Sequence, residues 1–214
     1  MYVSSVWRLC RCKNGLVVAD PPPWRADRRS IRQVEKHYRR YFEGHESGRF
    51  DSTPGPIGDR LSGLEILRFG PGPRTETWVY ATLGASAVRS DAHGTEFFLL
   101  SPDSQDIHCE TLTMTAFYHA GEMEQRLGLG HTVPIGRPWC PGSMCDHLLV
   151  SLPYPFGPAL EECTVRGGHV QVLWLLPITE SERDFKAEHG LEALEERFEE
   201  AELEYWNPTR KPTV

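Results

Sequence analysis

Hydrophobic and polar positions along this chain follow two periods, and each period predicts its own kind of element. After Ser30, a residue suited to an N-cap, apolar side chains recur at helical spacing and predict a helix that Gly44 ends. From residue 64 onward the pattern changes to short apolar and β-branched runs bounded by turn residues, which is typical of strands. These runs cover residues 64–69, 77–82, 96–100, 148–152 and 170–176.

Two further helical stretches are predicted in the second half of the chain. The first covers about residues 107–127, where apolar residues form a broad face before Gly128 and Gly130 end it. The second begins at Thr179, because Thr179 and Glu182 fit a capping box in which each side chain binds the other's free backbone N–H. We expect this helix to break near Gly190, with an acidic amphipathic segment after it.

The order of these elements predicts an α+β fold with a central mixed or antiparallel sheet flanked by helices in a single domain. Three successive strands joined by turns favour this arrangement over a doubly wound parallel sheet. Residues 1–29, which include a run of three prolines, are predicted to be a poorly ordered extension. Residues 30–206 are then the domain and residues 207–214 a tail. Residues 47–63 are predicted to be a loop, because Gly, Pro, Ser and Asp dominate them.

Composition narrows the class of protein. The 214 residues are 39% hydrophobic and 25% charged, which excludes a disordered class. The richest apolar run, residues 170–178, is far shorter than the roughly 20 residues of a membrane-spanning helix. The N-terminus lacks the apolar stretch of a secretory signal, so we expect a cytoplasmic protein whose six cysteines are reduced thiols.

Charge is distributed unevenly along the chain. Residues 1–42 hold ten Lys and Arg against three Asp and Glu, whereas residues 180–206 hold three against eleven. A basic patch within residues 8–40 could bind nucleic acid. Alternatively, the two ends offset each other's field. The net charge of −7 favours the second interpretation, so a nucleic-acid partner is not expected.

One loop carries residue types that bind metal. His131, Cys140, Cys145 and His147 lie within residues 131–147, and zinc prefers thiolate and imidazole ligands. This predicts a zinc-dependent hydrolase as an alternative function. The spacing contains no C-x-x-C or H-E-x-x-H motif, and a structured loop whose histidines bind backbone groups explains it equally. No nucleophile elbow and no phosphate-binding loop are present, so we predict no catalytic residues and no cofactor.

Aromatic residues in proline-rich loops are candidates for binding a partner protein. Trp139, Tyr154 and Phe156 either anchor a partner or cover the core, and His131 and Asp146 lie in the same loops. An edge strand of the sheet is a second candidate, because its free backbone groups can pair with an extended peptide.

Several segments resemble the Suppressor of fused domain family, in the family's order over about residues 60–200. The most specific is LWLLPITESE at residues 173–182, and the others are LEIL at 64–67, WVYATLG at 78–84, EFFLL at 96–100, GHTV at 130–133, PW at 138–139 and LLVSLP at 148–153. The resemblance implies an α+β fold with a mixed sheet and a non-enzymatic role, with no catalytic residues to carry over.

The family also implies what such a protein does. Its animal member is a two-lobed protein that holds transcription factors of Hedgehog signalling by taking up a short peptide as an added strand. The resemblance here covers only the first lobe. Its bacterial members resemble immunity proteins that neutralise a toxin by binding it. The leading hypothesis is therefore a cytoplasmic protein-binding module that neutralises a toxin, with an acidic balance suited to a basic partner.

Overall fold

A nine-stranded mixed sheet runs through the centre of the chain in the computed structural model, which describes residues 24–25, 27–51, 60–90 and 93–214. The strands are β1 (Trp24–Arg25), β2 (Ser47–Asp51), β3 (Leu61–Ser62), β4 (Glu65–Phe69), β5 (Trp78–Leu83), β6 (Arg89–Ser90), β7 (His93–Ser101), β8 (Thr132–Pro134), β9 (Cys145–Ser151), β10 (Glu162–Val165) and β11 (Gly168–Thr179). The helices are α1 (Arg28–Tyr41), α2 (Ile107–His119), α3 (Pro158–Glu161), α4 (Glu180–His189) and α5 (Leu191–Glu200).

The strands lie in the order β2-β4-β5-β7-β11-β9-β8. The long strand β11 pairs with β10 over its first residues and with β9 over its last, and β6 lies beside the start of β7. Within the described part of this sheet, β7 with β11 is the one parallel pair. β1 and β3 form a separate two-residue parallel ladder. The predicted α+β fold with a mixed sheet is confirmed.

Each face of the sheet is covered by helices, because alternate residues of a strand point to opposite faces. Phe98 and Trp174 belong to the core layer that includes residues of α1 and α5. Phe97 and Leu173, one position earlier, belong to the layer that includes residues of α2. The central strands β7 and β11 are therefore buried on both sides over most of their length.

The predicted N-cap of the first helix was wrong. Asp27 caps α1: its carboxylate accepts a hydrogen bond from the backbone N–H of Ser30, at 3.0 Å. Asp27 stands three residues before Ser30, the spacing that an N-cap side chain needs to reach the third helical N–H. The helix is correspondingly longer at its start than the apolar pattern indicated.

Two predicted boundaries also differ from the structure. The helix from residue 107 ends at His119, where Gly121 follows and a short 3₁₀ turn begins at Met123, which is 75% exposed. The apolar spacing continues beyond His119 into the 3₁₀ turn, so the pattern alone predicts one longer helix. The predicted loop at residues 47–63 contains β2 and β3, while its middle, residues 52–59, lies outside the described residues.

The division of the chain into extension, domain and tail stays a prediction. Residues 1–23 and 26, which make up most of the predicted extension, lie outside the described residues. In the predicted tail, the side chain of Arg210 is 5% exposed and pairs with Glu182 of α4. Among the helices that the structure describes, none is long and apolar enough to cross a membrane.

Candidate protein-binding surface

Strand β8 forms one edge of the nine-stranded sheet. Val150 N–H donates to the carbonyl of His131 and Ile135 N–H donates to the carbonyl of Asp146, each at 2.8 Å. Because hydrogen-bonded pairs alternate in an antiparallel ladder, the His131 carbonyl and the backbone groups of residues 133 and 135 turn toward β9. Thr132 and Pro134 therefore turn theirs outward, away from the sheet. Proline has no N–H, so Thr132 carries the outward donor of this edge.

Exposed apolar side chains flank the β8 edge, by which we mean residues Thr132–Pro134. Leu129, before the strand, is 47% exposed, and Met144, before β9, is 60% exposed. His131 is also exposed, and the ammonium of Lys186 in α4 donates to the neighbouring Gly130 carbonyl. The β8 edge therefore has one outward backbone N–H, at Thr132, and the exposed side chains of Leu129 and Met144 near it. The hydrogen bond from Lys186 to the Gly130 carbonyl holds the chain in place just before the strand.

The loop between β8 and β9 is held against α2. The Arg137 guanidinium donates to the Ile107 carbonyl at 3.2 Å and to the Thr111 hydroxyl at 2.8 Å. Trp139 is only 2% exposed, and its backbone N–H donates to the Cys145 carbonyl at 2.9 Å. Trp139 is therefore buried, in a small cluster with Cys140 and Cys145.

Tyr154 and Phe156 lie in the loop after β9. The Phe156 ring packs edge-on against Tyr41 and Phe42, and the Tyr41 hydroxyl donates to the Phe156 carbonyl at 2.6 Å. Tyr154 is 59% exposed, and its hydroxyl donates to the carboxylate of Glu195 in α5 at 3.2 Å. Phe156 thus belongs to the core, whereas Tyr154 belongs to the surface.

Acidic side chains surround Tyr154. Burial, with the carboxylates of Glu199 and Glu192, raises the pKa of Glu195, while the hydrogen bond from Tyr154 acts in the opposite direction. Burial and the carboxylates of Glu195, Glu199 and Glu161 raise the pKa of the Tyr154 hydroxyl. This side of α5 therefore carries a negative field that favours cations.

The structure separates the five predicted binding residues into two places. His131, Trp139 and Asp146 belong to the β8–β9 hairpin and its loop, whereas Tyr154 and Phe156 pack beside α1 and α5. The role of each in binding stays a prediction.

Comparison with known proteins places this fold in a family. The family model described as Suppressor of fused protein (SUFU) matches residues 60–211. The chain belongs to the Suppressor of fused family. The crystal structure of a protein described as a Suppressor of fused homologue from Neisseria gonorrhoeae is 36% identical in sequence, covers 86% of this chain and 97% of its own, and superposes with a TM-score of 0.76.

Two more distant structures share the fold of the Suppressor of fused family. A crystal structure of the Sufu–Fu complex is 12% identical, with a TM-score of 0.61, over 83% of this chain and 84% of that one. Drosophila Suppressor of Fused is also 12% identical, with a TM-score of 0.59, over 91% of this chain and 52% of that one. No curated protein sequence matches the chain.

The predicted zinc ligands of this Suppressor of fused chain are not brought together. The His131 imidazole accepts a hydrogen bond from the Gly128 N–H at 3.3 Å, and His147 pairs with the Asp146 carboxylate at 2.8 Å. Cys140 and Cys145 are buried with Trp139, and burial raises the pKa of the Cys140 thiol to about 11. Among the described residues no group of three or more His, Cys, Asp or Glu side chains could hold a metal ion. The alternative of a zinc hydrolase built on this loop is therefore not supported.

Sequence reasoning missed two polar pairs in this chain. Glu182, for which the sequence predicts only a role in the capping box, is fully buried and pairs with Arg210. His93 and His169 contact each other across adjacent strands. The separation along the chain, 28 residues in the first case and 76 in the second, left no local signal for either pair.

Proposed function

We propose that this protein is a non-enzymatic binding module that accepts an extended segment of a partner protein along the β8 edge. The observation that carries the proposal is the position of β8 at the end of the nine-stranded sheet, with the backbone of Thr132 turned outward. A strand added there would continue the ladder that β9 begins. Main-chain hydrogen bonds would supply affinity and neighbouring side chains specificity.

The chemistry of the edge limits what can bind. Pro134 offers an acceptor but no donor, so a partner strand pairs with the N–H and C=O of Thr132 and with the Pro134 carbonyl. Exposed Leu129 and Met144 would contact apolar side chains of the partner at either end. The expected ligand is therefore a short extended segment with apolar residues, rather than a long β-hairpin.

The charge of the chain favours a basic partner. The net charge is −7, and the α4–α5 region carries the acidic excess, including the field around Tyr154. Complementary charge accelerates association and excludes partners of like charge. A basic toxin neutralised in the cytoplasm is the partner class that this proposal names. The presence of a family fold in the Sufu–Fu complex supports protein binding as the general role.

The first experiment compares two substitutions at one position. Thr132→Pro removes the outward N–H without removing a bond to β9, whereas Thr132→Val keeps the N–H and the side-chain shape. The partner is sought first in the product of the neighbouring gene, by pull-down followed by titration calorimetry. We expect Thr132→Pro to weaken binding by about tenfold or more, since about 1.4 kcal/mol of lost pairing is tenfold in affinity. Thr132→Val should bind like the parent chain.

A second experiment tests the toxin part of the proposal separately. Cells that express the neighbouring product are expected to grow when this chain is present and to stop growing with Thr132→Pro. Equal affinity of the Pro and Val variants would contradict docking at β8 even if binding occurs. Binding without growth protection would contradict the toxin-neutralising role alone.

A further inference from the structure

Two histidines face each other at the start of the central strands. His93 in β7 and His169 in β11 are direct neighbours in the parallel register. The Nδ1 atom of His93 lies 2.6 Å from the Nε2 atom of His169, and the ring centroids are 3.9 Å apart at 70°. His93 is exposed and His169 is half-buried, so the pair is open to water and to small ions.

The short distance between the His93 and His169 nitrogens limits which of them can carry a hydrogen atom. Two ring nitrogens within hydrogen-bond distance require one N–H donor and one unprotonated acceptor. At least one nitrogen of the pair therefore presents a lone pair at this position. An unprotonated imidazole nitrogen is also the form that binds a transition metal.

We propose that His93 and His169 together form a chelating site for a divalent transition-metal ion of the Cu²⁺ or Ni²⁺ type. Imidazole is a preferred ligand of these ions, and tetragonal coordination places neighbouring ligands at about 90°. With metal–nitrogen distances of about 2.0–2.1 Å, two such nitrogens lie about 3.0 Å apart, against about 3.4 Å in a tetrahedron. The observed 2.6 Å is nearer to the tetragonal value.

Binding needs both rings to turn as well as to separate, because the ion lies off the line that joins the two nitrogens in the hydrogen bond. The facing nitrogens separate by about 0.4 Å to reach the tetragonal spacing. The single hydrogen between them moves to the other nitrogen of the same ring, so both facing nitrogens become ligands without a net loss of a proton. No group of three or more metal-binding side chains occurs in the part of the chain that the structure describes, so His93 and His169 are the two protein ligands that this proposal names.

An ion bound between His93 and His169 would link two central strands of the sheet. β7 and β11 form the parallel junction of the described sheet, where β2, β4 and β5 on one side meet β9 and β8 on the other. An ion held by one side chain from each strand links the two halves at this junction. A ligand that binds only the folded chain stabilises it by RT ln(1 + L/Kd), where L is the free ligand concentration, so the melting temperature rises with ion concentration.

The test uses the full chain without a polyhistidine tag. Titration calorimetry with CuCl₂ and with NiCl₂ is expected to give one ion per chain, and the melting temperature should rise with ion concentration. His93→Asn and His169→Asn should each weaken binding by at least about tenfold and abolish the thermal shift. The matched control is His189→Asn, because His189 is an exposed histidine of α4 that lies beside Phe185 and Glu188.

Each outcome decides the proposal. Circular dichroism of the variants establishes that they remain folded, as expected for substitutions at accessible side chains. Unchanged affinity in both His93→Asn and His169→Asn would overturn the site. Equal losses in the His189→Asn control would overturn it as well, because binding would then be spread over surface histidines. Tight binding of Mg²⁺ at the same stoichiometry would also contradict an imidazole site.

Discussion

The buried ion pair between α4 and the C-terminal segment makes the sharpest prediction about stability. Both oxygens of the Glu182 carboxylate accept from the Arg210 guanidinium, at 2.7 and 2.8 Å, and the side chains are 0% and 5% exposed. The same carboxylate accepts from the backbone N–H of Thr179 at 2.8 Å and of Thr213 at 3.1 Å. One side chain thus joins the start of α4 to the last residues of the chain.

The perturbation is Glu182→Gln, which keeps the shape of the side chain and removes its charge. An NH₂ group then faces the guanidinium donors, and Arg210 remains buried without a counter-charge. Removing one partner of a buried pair costs about 3–5 kcal/mol, a large part of the roughly 5–15 kcal/mol of a typical domain. The matched control is Glu180→Gln in the same helix turn. Its exposed pair with Arg183, at 3.0 Å, contributes about 0.2–1 kcal/mol.

Urea denaturation followed by circular dichroism measures the two free energies of unfolding under the same conditions. We expect the Glu182→Gln variant to lose several times more stability than Glu180→Gln, without a change in the denaturant slope. A loss of unfolding free energy below about 1 kcal/mol, or one equal to that of the control, would refute the conclusion that this ion pair is a main stabilising contact of the C-terminal segment.

The same pair predicts a dependence on pH. Burial acts to raise the pKa of Glu182, but the hydrogen bonds and charge of Arg210 outweigh it and leave the pKa below the ordinary 4.5. A lowered pKa in the folded state means that the pair contributes its full stability above about pH 4.5 and loses it as the pH falls through the folded-state value. The Glu182→Gln variant should therefore show a flatter loss of stability below pH 4.5.

Two further predictions concern other buried positions. Burial first, and then the Arg126 charge, lowers the pKa of His119 to about 4, so stability should fall as the pH drops from 6.5 toward 4, by up to about 1.4 kcal/mol per pH unit. His119→Asn retains an acceptor for the Leu127 N–H and should flatten the dependence of the unfolding free energy on pH, as measured by denaturation curves at several pH values. An unchanged pH dependence would mean that groups other than His119 cause it. Gly94→Ala should cost about 1–3 kcal/mol, because a Cβ would lie 2.6 Å from the Ser86 carbonyl oxygen. Gly128→Ala, with no atom within 4 Å, is the control, and equal melting temperatures of the two variants would contradict the packing argument.

Much of the secondary structure could be read from local patterns. The apolar runs that predicted strands lie within or overlap β4, β5, β7, β9 and β11, and the capping box of Thr179 and Glu182 is formed as expected. Gly190 separates α4 from α5, also as expected. These features were predictable because each depends on residues a few positions apart. The end of α2 was not, because apolar spacing alone cannot distinguish a continuing helix from a helix that ends in a 3₁₀ turn.

The candidate sites depended on contacts between distant parts of the chain. The β8 edge exists because β9, and no other described strand, pairs with β8. Trp139 was a candidate anchor by its sequence context, but the attachment of its loop to α2 buries it. The exposure of a side chain depends on what packs against it in the folded protein. The sequence pattern around the residue does not show this.

The sequence by itself determined most of the longer helices and strands, the α+β class and the family to which this protein belongs, because repeating local patterns and short motifs encode them. The tertiary structure alone decided which strands are neighbours and which side chains meet. The parallel pairing of β7 with β11 brings His93 to His169, and the return of the last residues to α4 brings Arg210 to Glu182. Such contacts join residues that are far apart in the chain, so they depend on the packing of whole elements against each other, which no short segment contains.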